Sequence, residues 1–141
     1  MFRDSLNKSE RDQFDKAMNA YALSLGRSAF SFDEYAEKWR AFIDRINRGY
    51  ELTIYDYTND LSARDILQRF IDSLPANFAQ RALEYIQPDD ESFRKVTQET
   101  RLALIGTESS SEKLAWWWHR LPKNLTGELK EDVSSIPSTI S

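Results

Sequence analysis

The chain has 141 residues, with 23 acidic against 19 basic groups, one histidine and no cysteine. That length suits a single domain, which can bury about two thirds of its unfolded surface without covalent staples. The composition excludes a disulfide framework and a thiolate metal site. It offers no apolar run that reads as a signal peptide or a membrane span, so the expectation is a cytoplasmic protein with no membrane contact. The acidity is uneven. Residues 51–108 carry eleven acidic and six basic groups, while the segments on either side are close to balanced. A basic footprint for direct nucleic-acid binding is missing. An acidic face suits a basic protein partner, beside its plainer use as a solubilising surface.

Helical periodicity dominates the chain. Phe14, Met18, Tyr21 and Leu25 predict a first helix that starts at residue 4 or 9 and ends at residue 25, before Gly26. Ser31 and Glu34 have capping-box spacing and open a second helix. Its stripe is Tyr35, Trp39, Phe42, Ile43 and Ile46, and it ends at Gly49 before Tyr50. Residues 51–61 are ambiguous. Leu52 to Tyr55 has strand-like composition, yet Thr53 and Asp56 can cap a helix. A short helix or irregular turn is favoured, because a lone strand has no evident partner.

A third helix is predicted to start at Ser62, with Asp65 favourable in its first turn and Leu61 and Ile66 as a hydrophobic staple. Its buried face is Ile66, Leu67, Phe70, Ile71 and Leu74, and Pro75 ends it. Phe78, Ala82, Leu83 and Ile86 mark a fourth helix, closed by Pro88. Asp89 or Asp90 then caps a fifth, with Phe93, Val96, Thr97, Thr100 and Leu104 on its inner face. Gly106 to Ser111 reads as a polar loop. Ser109 and Glu112 offer a further capping box, opening a short helix that runs through Trp116-Trp117-Trp118 and stops at Pro122. Residues 126–133 have room for one or two more turns. The expected fold is an all-α, compact bundle of five to six helices with short loops, one domain over 1–133, and a flexible tail over 134–141.

Little in the chain carries catalytic chemistry. His119 is the sole histidine, with no cysteine and no nucleophile-elbow motif beside it, so surface or interface duty suits it better than catalysis. A metal centre would need more ligands than one histidine supplies, and no cofactor motif is present. If residues 53–60 are helical, Asp56 and Asp60 lie one turn apart and could hold a cation or act as an acid–base pair. Capping and turn formation explain them, and Asp65, more simply. Asp89-Asp90-Glu91 lacks the ligand alternation and central glycine of a calcium loop.

The three adjacent tryptophans stand out. Neighbouring side chains on a helix diverge by about 100°, so the three indoles cannot all enter one core. At least one should face solvent, a partner or a second packing layer. Indoles are also enriched among residues that carry binding energy at interfaces. Tyr50, Tyr55 and Tyr57 add to this aromatic surplus.

The stretch from Gly49-Tyr50 through Tyr55-Asp56-Tyr57-Thr58-Asn59-Asp60-Leu61-Ser62-Ala63-Arg64-Asp65, with Trp116-Trp117-Trp118-His119-Arg120-Leu121-Pro122, resembles small bacterial immunity proteins. These accompany secreted polymorphic toxins, including those of contact-dependent growth inhibition. The likeness is one of size, acidity, aromatic surplus and helical content over residues 40–125. It implies a non-enzymatic protein that binds one cognate toxin domain, often a nuclease, and covers its active site or substrate cleft. The residues expected on that surface are Asp56, Tyr57, Asp60, Glu84, Trp116, Trp117, Trp118 and His119. Alternatives are a small adaptor or chaperone-type binder, a homo-oligomer that buries its own indoles, and a metal-dependent enzyme built on carboxylates.

Overall fold

The computed structural model describes residues 1–100 and 114–134. Over these the chain is all-α, with five helices and one short two-stranded ribbon. A 3-10 turn over Arg3–Ser5 leads into α1 (Lys8–Ser24), α2 (Phe32–Arg48), α3 (Ile54–Ser73) and α4 (Ala76–Val96). Strand β1 (Thr97–Glu99) follows directly. A second 3-10 turn over Trp116–His119 precedes β2 (Arg120–Pro122), and α5 (Gly127–Ser134) comes last among the described residues. The expected loop over Gly106 to Ser111, the cap at Ser109 and Glu112, Leu104, and the tail beyond Ser134 lie outside the described residues.

Local signals start three of the helices. Asn7 and Glu10 form a reciprocal capping box on α1, which places its start between the two expected positions. Ser31 accepts from the Glu34 N–H on α2, without the return bond. Thr53 and Asp56 form a complete box on α3. Each box satisfies backbone donors that a helix start would otherwise leave free. Gly26 and Gly49 follow α1 and α2 with φ of 69° and 105°, a region that L side chains rarely adopt.

Two expected breaks are absent. The helix predicted from Ser62 starts at Thr53 instead and runs through Ser62 unbroken. Ser62 sits inside it because its hydroxyl donates back to the Asn59 carbonyl, a bond that lets serine occupy a helix interior. Pro88 lies within α4 and does not close it. Proline leaves the carbonyl four residues earlier, that of Glu84, without a helix donor. Glu84 and Pro88 are both exposed, so water can take that bond. The next turn is held from elsewhere, by Asp90 and Phe93, both buried.

The expected fifth helix is also corrected. Helix α4 ends at Val96, and Thr97 to Glu99 pair antiparallel with Pro122 to Arg120. The Thr97 hydroxyl turns back to the Phe93 carbonyl at 2.6 Å. Arg120 donates to the Thr97 hydroxyl and to the carbonyls of Arg94 and Thr97. A cation thereby covers the negative end of α4, and a segment expected to be helical pairs instead as a strand with residues 120–122.

The core has two aromatic centres, one where the start of α2 meets the end of α3 and one where the later part of α2 meets the start of α3. Phe2, Phe14, Phe32 and Phe70 pack edge-to-face or tilted, with ring centroids 5.2–6.0 Å apart. Asp33 tethers the N-terminus here by accepting from the Phe2 and Arg3 N–H groups. Trp39, Phe42, Tyr50, Tyr57 and Phe93 form the second centre. Such pairs add about 0.5–1.5 kcal/mol each beyond the area they bury. No described helix is long and apolar enough to cross a membrane.

Candidate partner-binding surface

Two of the three tryptophans are interior, so Trp117 and Trp118 are withdrawn from the surface expected for them, while Trp116 stays half-buried. Trp117 and Trp118 are each 4 % exposed. A 3-10 turn spaces neighbours by about 120°, so the three indoles do diverge, but two of them converge again on one acceptor. Trp117 Nε1 donates to Asp65 Oδ1 at 2.8 Å, and Trp118 Nε1 reaches both Asp65 oxygens at 2.9 and 3.0 Å. Asp65 is therefore no helix cap. It is the polar floor that lets two indoles enter the fold without orphaned donors. Beneath it the Arg64 guanidinium lies 4.5 Å from the Trp117 ring centre.

Trp116 is half-buried. It packs against Phe93 at 5.9 Å and edge-on to Trp117 at 5.6 Å, with the Arg94 guanidinium 3.9 Å from its ring centre. His119 is half-buried beside it. Both line a shallow pocket with Arg94, Glu99, Thr100 and Arg120.

Tyr57 is withdrawn from the surface as well. It is fully buried and donates to the Arg120 carbonyl at 2.8 Å, and burial raises its phenol pKa well above the ordinary value. Tyr50 is likewise raised, by burial first and then by its hydrogen bond to Asp60. Asp60 accepts from Tyr50 at 2.7 Å and from Arg45 at 3.2 Å. Asp56, one turn earlier, is exposed and turned back to Thr53. Among the described residues no group of three or more histidines or carboxylates is placed to hold a metal. Glu84 is exposed on α4 and accepts from Gln80.

Asp89 and Asp90 are not caps either. Asp90 is buried and takes a two-pronged ion pair from Arg64, with both N···O distances 2.9 Å, plus the Trp39 indole N–H at 3.0 Å. Asp89 pairs with Arg40 at the surface. The buried pair joins α2, α3 and α4 at one point, and its geometry is fully used by structure.

The exposed aromatic chemistry lies elsewhere, where α3 begins. Tyr55 is 82 % exposed, the highest value among the large apolar side chains described. Leu52, three residues earlier, is 44 % exposed. The Thr53 cap fixes the phase of α3, so Ile54, Tyr57 and Leu61 face inward and Tyr55 falls off that stripe.

Helix α5 completes this corner. It buries Leu129 and Val133. Asp132 accepts the Ile54 N–H at 2.9 Å, and the Thr126 hydroxyl donates to the Tyr50 carbonyl. Gly127 sits so close to Glu51 that a Cβ there would meet the Glu51 carbonyl oxygen at 3.0 Å. Glu128 is one turn from Asp132 and so shares its side of α5. The two segments that meet here, 51–56 and 127–133, carry Glu51, Asp56, Glu128, Glu131 and Asp132 against Lys130 as their one cation, so the corner that bears Leu52 and Tyr55 has a negative balance.

Of the residues expected on a binding surface, Asp56 belongs to this corner. Asp60 lies further along α3, while Glu84, Trp116 and His119 are on other elements. Glu51, Leu52, Tyr55, Glu128 and Glu131 were not expected. The Thr53–Asp56 spacing held the signal for Tyr55, since it sets which side of α3 faces out. Comparison with protein-family models, curated proteins and solved structures finds no match.

Proposed function

We propose that this chain is a non-enzymatic binding protein of the immunity type. It docks the α3–α5 corner onto a basic surface of one protein partner, such as the phosphate-binding cleft of a nuclease toxin, and covers it. One observation carries the reading: Tyr55 stands almost fully exposed at a corner whose two segments carry five carboxylates and one lysine. A tyrosine on a rigid helix offers a large contact at low entropic cost. The negative balance of the corner would steer a basic partner and favour docking there. The resemblance to immunity proteins supplies the class of partner.

The test is affinity capture from the producing cells with the wild-type chain, beside two variant baits, Tyr55→Ala and Glu128→Lys/Glu131→Lys. The recovered partner is then titrated against each. The reading expects a 1:1 complex whose affinity falls about tenfold or more in either variant and weakens with salt. It also expects that the partner alone arrests growth and that co-production of this chain relieves the arrest. A partner that binds both variants as well as wild type would remove the corner from the interface. A harmless partner would leave an adaptor in place of an immunity protein.

A further inference from the structure

A second surface of opposite charge lies between α2 and α3. It is a cleft of about 440 Å³ lined by Arg27, Tyr35, Lys38, Arg45, Asn59 and Asp60 among others, a size in the range of small-molecule sites. Tyr35 also borders a smaller neighbouring cleft, shared with Arg27, Lys38 and Glu34.

Tyr35 organises the cations. Phe30 stacks on its ring at 5.2 Å with planes 21° apart, which fixes its position. Arg27 Nη1 donates to its hydroxyl at 2.6 Å, and Lys38 Nζ sits 4.6 Å from its ring centre. One phenol thus contacts a guanidinium at its hydroxyl and an ammonium at its ring. Neither cation has a carboxylate within ion-pair distance among the described residues. In a chain of net charge −4, two cations on one phenol with no ion pair to Glu34 or Asp60, the acidic residues that line the two clefts, are a conspicuous departure. Like charges repel, and a concave wall focuses their field. The acidic residue of the cleft, Asp60, is already engaged by Arg45 and Tyr50, so its charge is largely answered.

We propose that this cleft binds a small phosphate-bearing molecule. The phosphate sits between Arg27 and Lys38, where a guanidinium fork and a mobile ammonium can share its oxygens. The rest of the ligand lies along the cleft towards Asn59 and Arg45, whose amide and guanidinium offer hydrogen bonds to a sugar or base. The site is separate from the α3–α5 corner and does not depend on the binding role assigned there.

The probes are inorganic phosphate, pyrophosphate and adenosine monophosphate, titrated into the full chain by calorimetry at about 0.15 M salt, with backbone amide shifts recorded in parallel. Saturable one-site binding is expected. Shifts should centre on Arg27, Tyr35 and Lys38, and affinity should fall about tenfold or more in Arg27→Gln/Lys38→Gln. Lys8→Gln, on α1, should leave it unchanged. All of these side chains are exposed, so the variants should fold, and a thermal melt checks that. Tighter binding of the nucleotide than of phosphate assigns the remainder of the cleft to the ligand. Equal binding assigns the two cations alone. No saturation by about 10 mM, equal loss in Lys8→Gln, or undiminished binding in Arg27→Gln/Lys38→Gln would overturn the proposal.

Discussion

The tryptophan turn and the first turn of α3 are both rich in aromatic side chains, and the fold uses them in opposite ways. At the turn, Trp117 and Trp118 are internal because Asp65 receives both indole N–H groups. On α3, Tyr55 and Tyr57 are two residues apart. Tyr57 is sealed and bonded to the Arg120 carbonyl, whereas Tyr55 is 82 % exposed. An aromatic surplus in a sequence is therefore not a measure of exposed aromatic area. A single carboxylate brought from 52 residues away is enough to draw two indoles inside.

That contrast can be broken by substitution. The largest effect is expected beneath the turn, at Asp90. Asp90→Ala leaves the Arg64 guanidinium buried without its counter-charge and the Trp39 N–H without an acceptor, and should cost about 3–5 kcal/mol in denaturant unfolding. Asp65→Ala strands two indole donors and should cost about 2–4 kcal/mol, with a red shift in tryptophan emission as water reaches the ring edges. Tyr57→Phe removes one buried bond and should cost about 1–2 kcal/mol. Tyr55→Ala should change stability by no more than about 0.5 kcal/mol, as substitution at an exposed position does. If Tyr55→Ala proved as costly as Tyr57→Phe, the two tyrosines would not play the different parts assigned to them.

Alkali sharpens the same comparison. In the unfolded chain tyrosines lose their protons near pH 10, while burial holds Tyr57 and Tyr50 protonated to higher pH. The folded state then binds more protons than the unfolded one, so stability is full below pH ~10 and falls as pH rises beyond it. Tyr57→Phe should flatten that fall. A stability-versus-pH series on the wild type and this variant checks it, and an unchanged fall would contradict it.

The parts of this fold legible in the sequence are those set by neighbours in the chain. Ser31 and Thr53 cap helices through bonds three residues long, and the Trp39, Phe42, Ile43 and Ile46 stripe follows from helical period alone. Ser62, Pro88 and Asp90 carry local signals that point the wrong way. Ser62 looks like a cap, but the stronger Thr53 box had already started the helix. Pro88 looks like a stop, but Asp90 is fixed by Trp39 and Arg64, 51 and 26 residues away. The α3–α5 corner was half legible. Asp56 and Tyr55 lie in one turn whose phase the cap determines, whereas the acidic α5 comes to that end of α3 only through distant contacts, Asp132 with the Ile54 N–H and Gly127 against Glu51.

The most direct measurement is a hydrogen-exchange footprint of this chain with its captured partner. The account predicts slowed exchange at residues 51–58 and 127–133, with residues 116–119 unchanged between free and bound protein. Slowed exchange at 116–119 with none at 51–58 would return the interface to the tryptophans and contradict it.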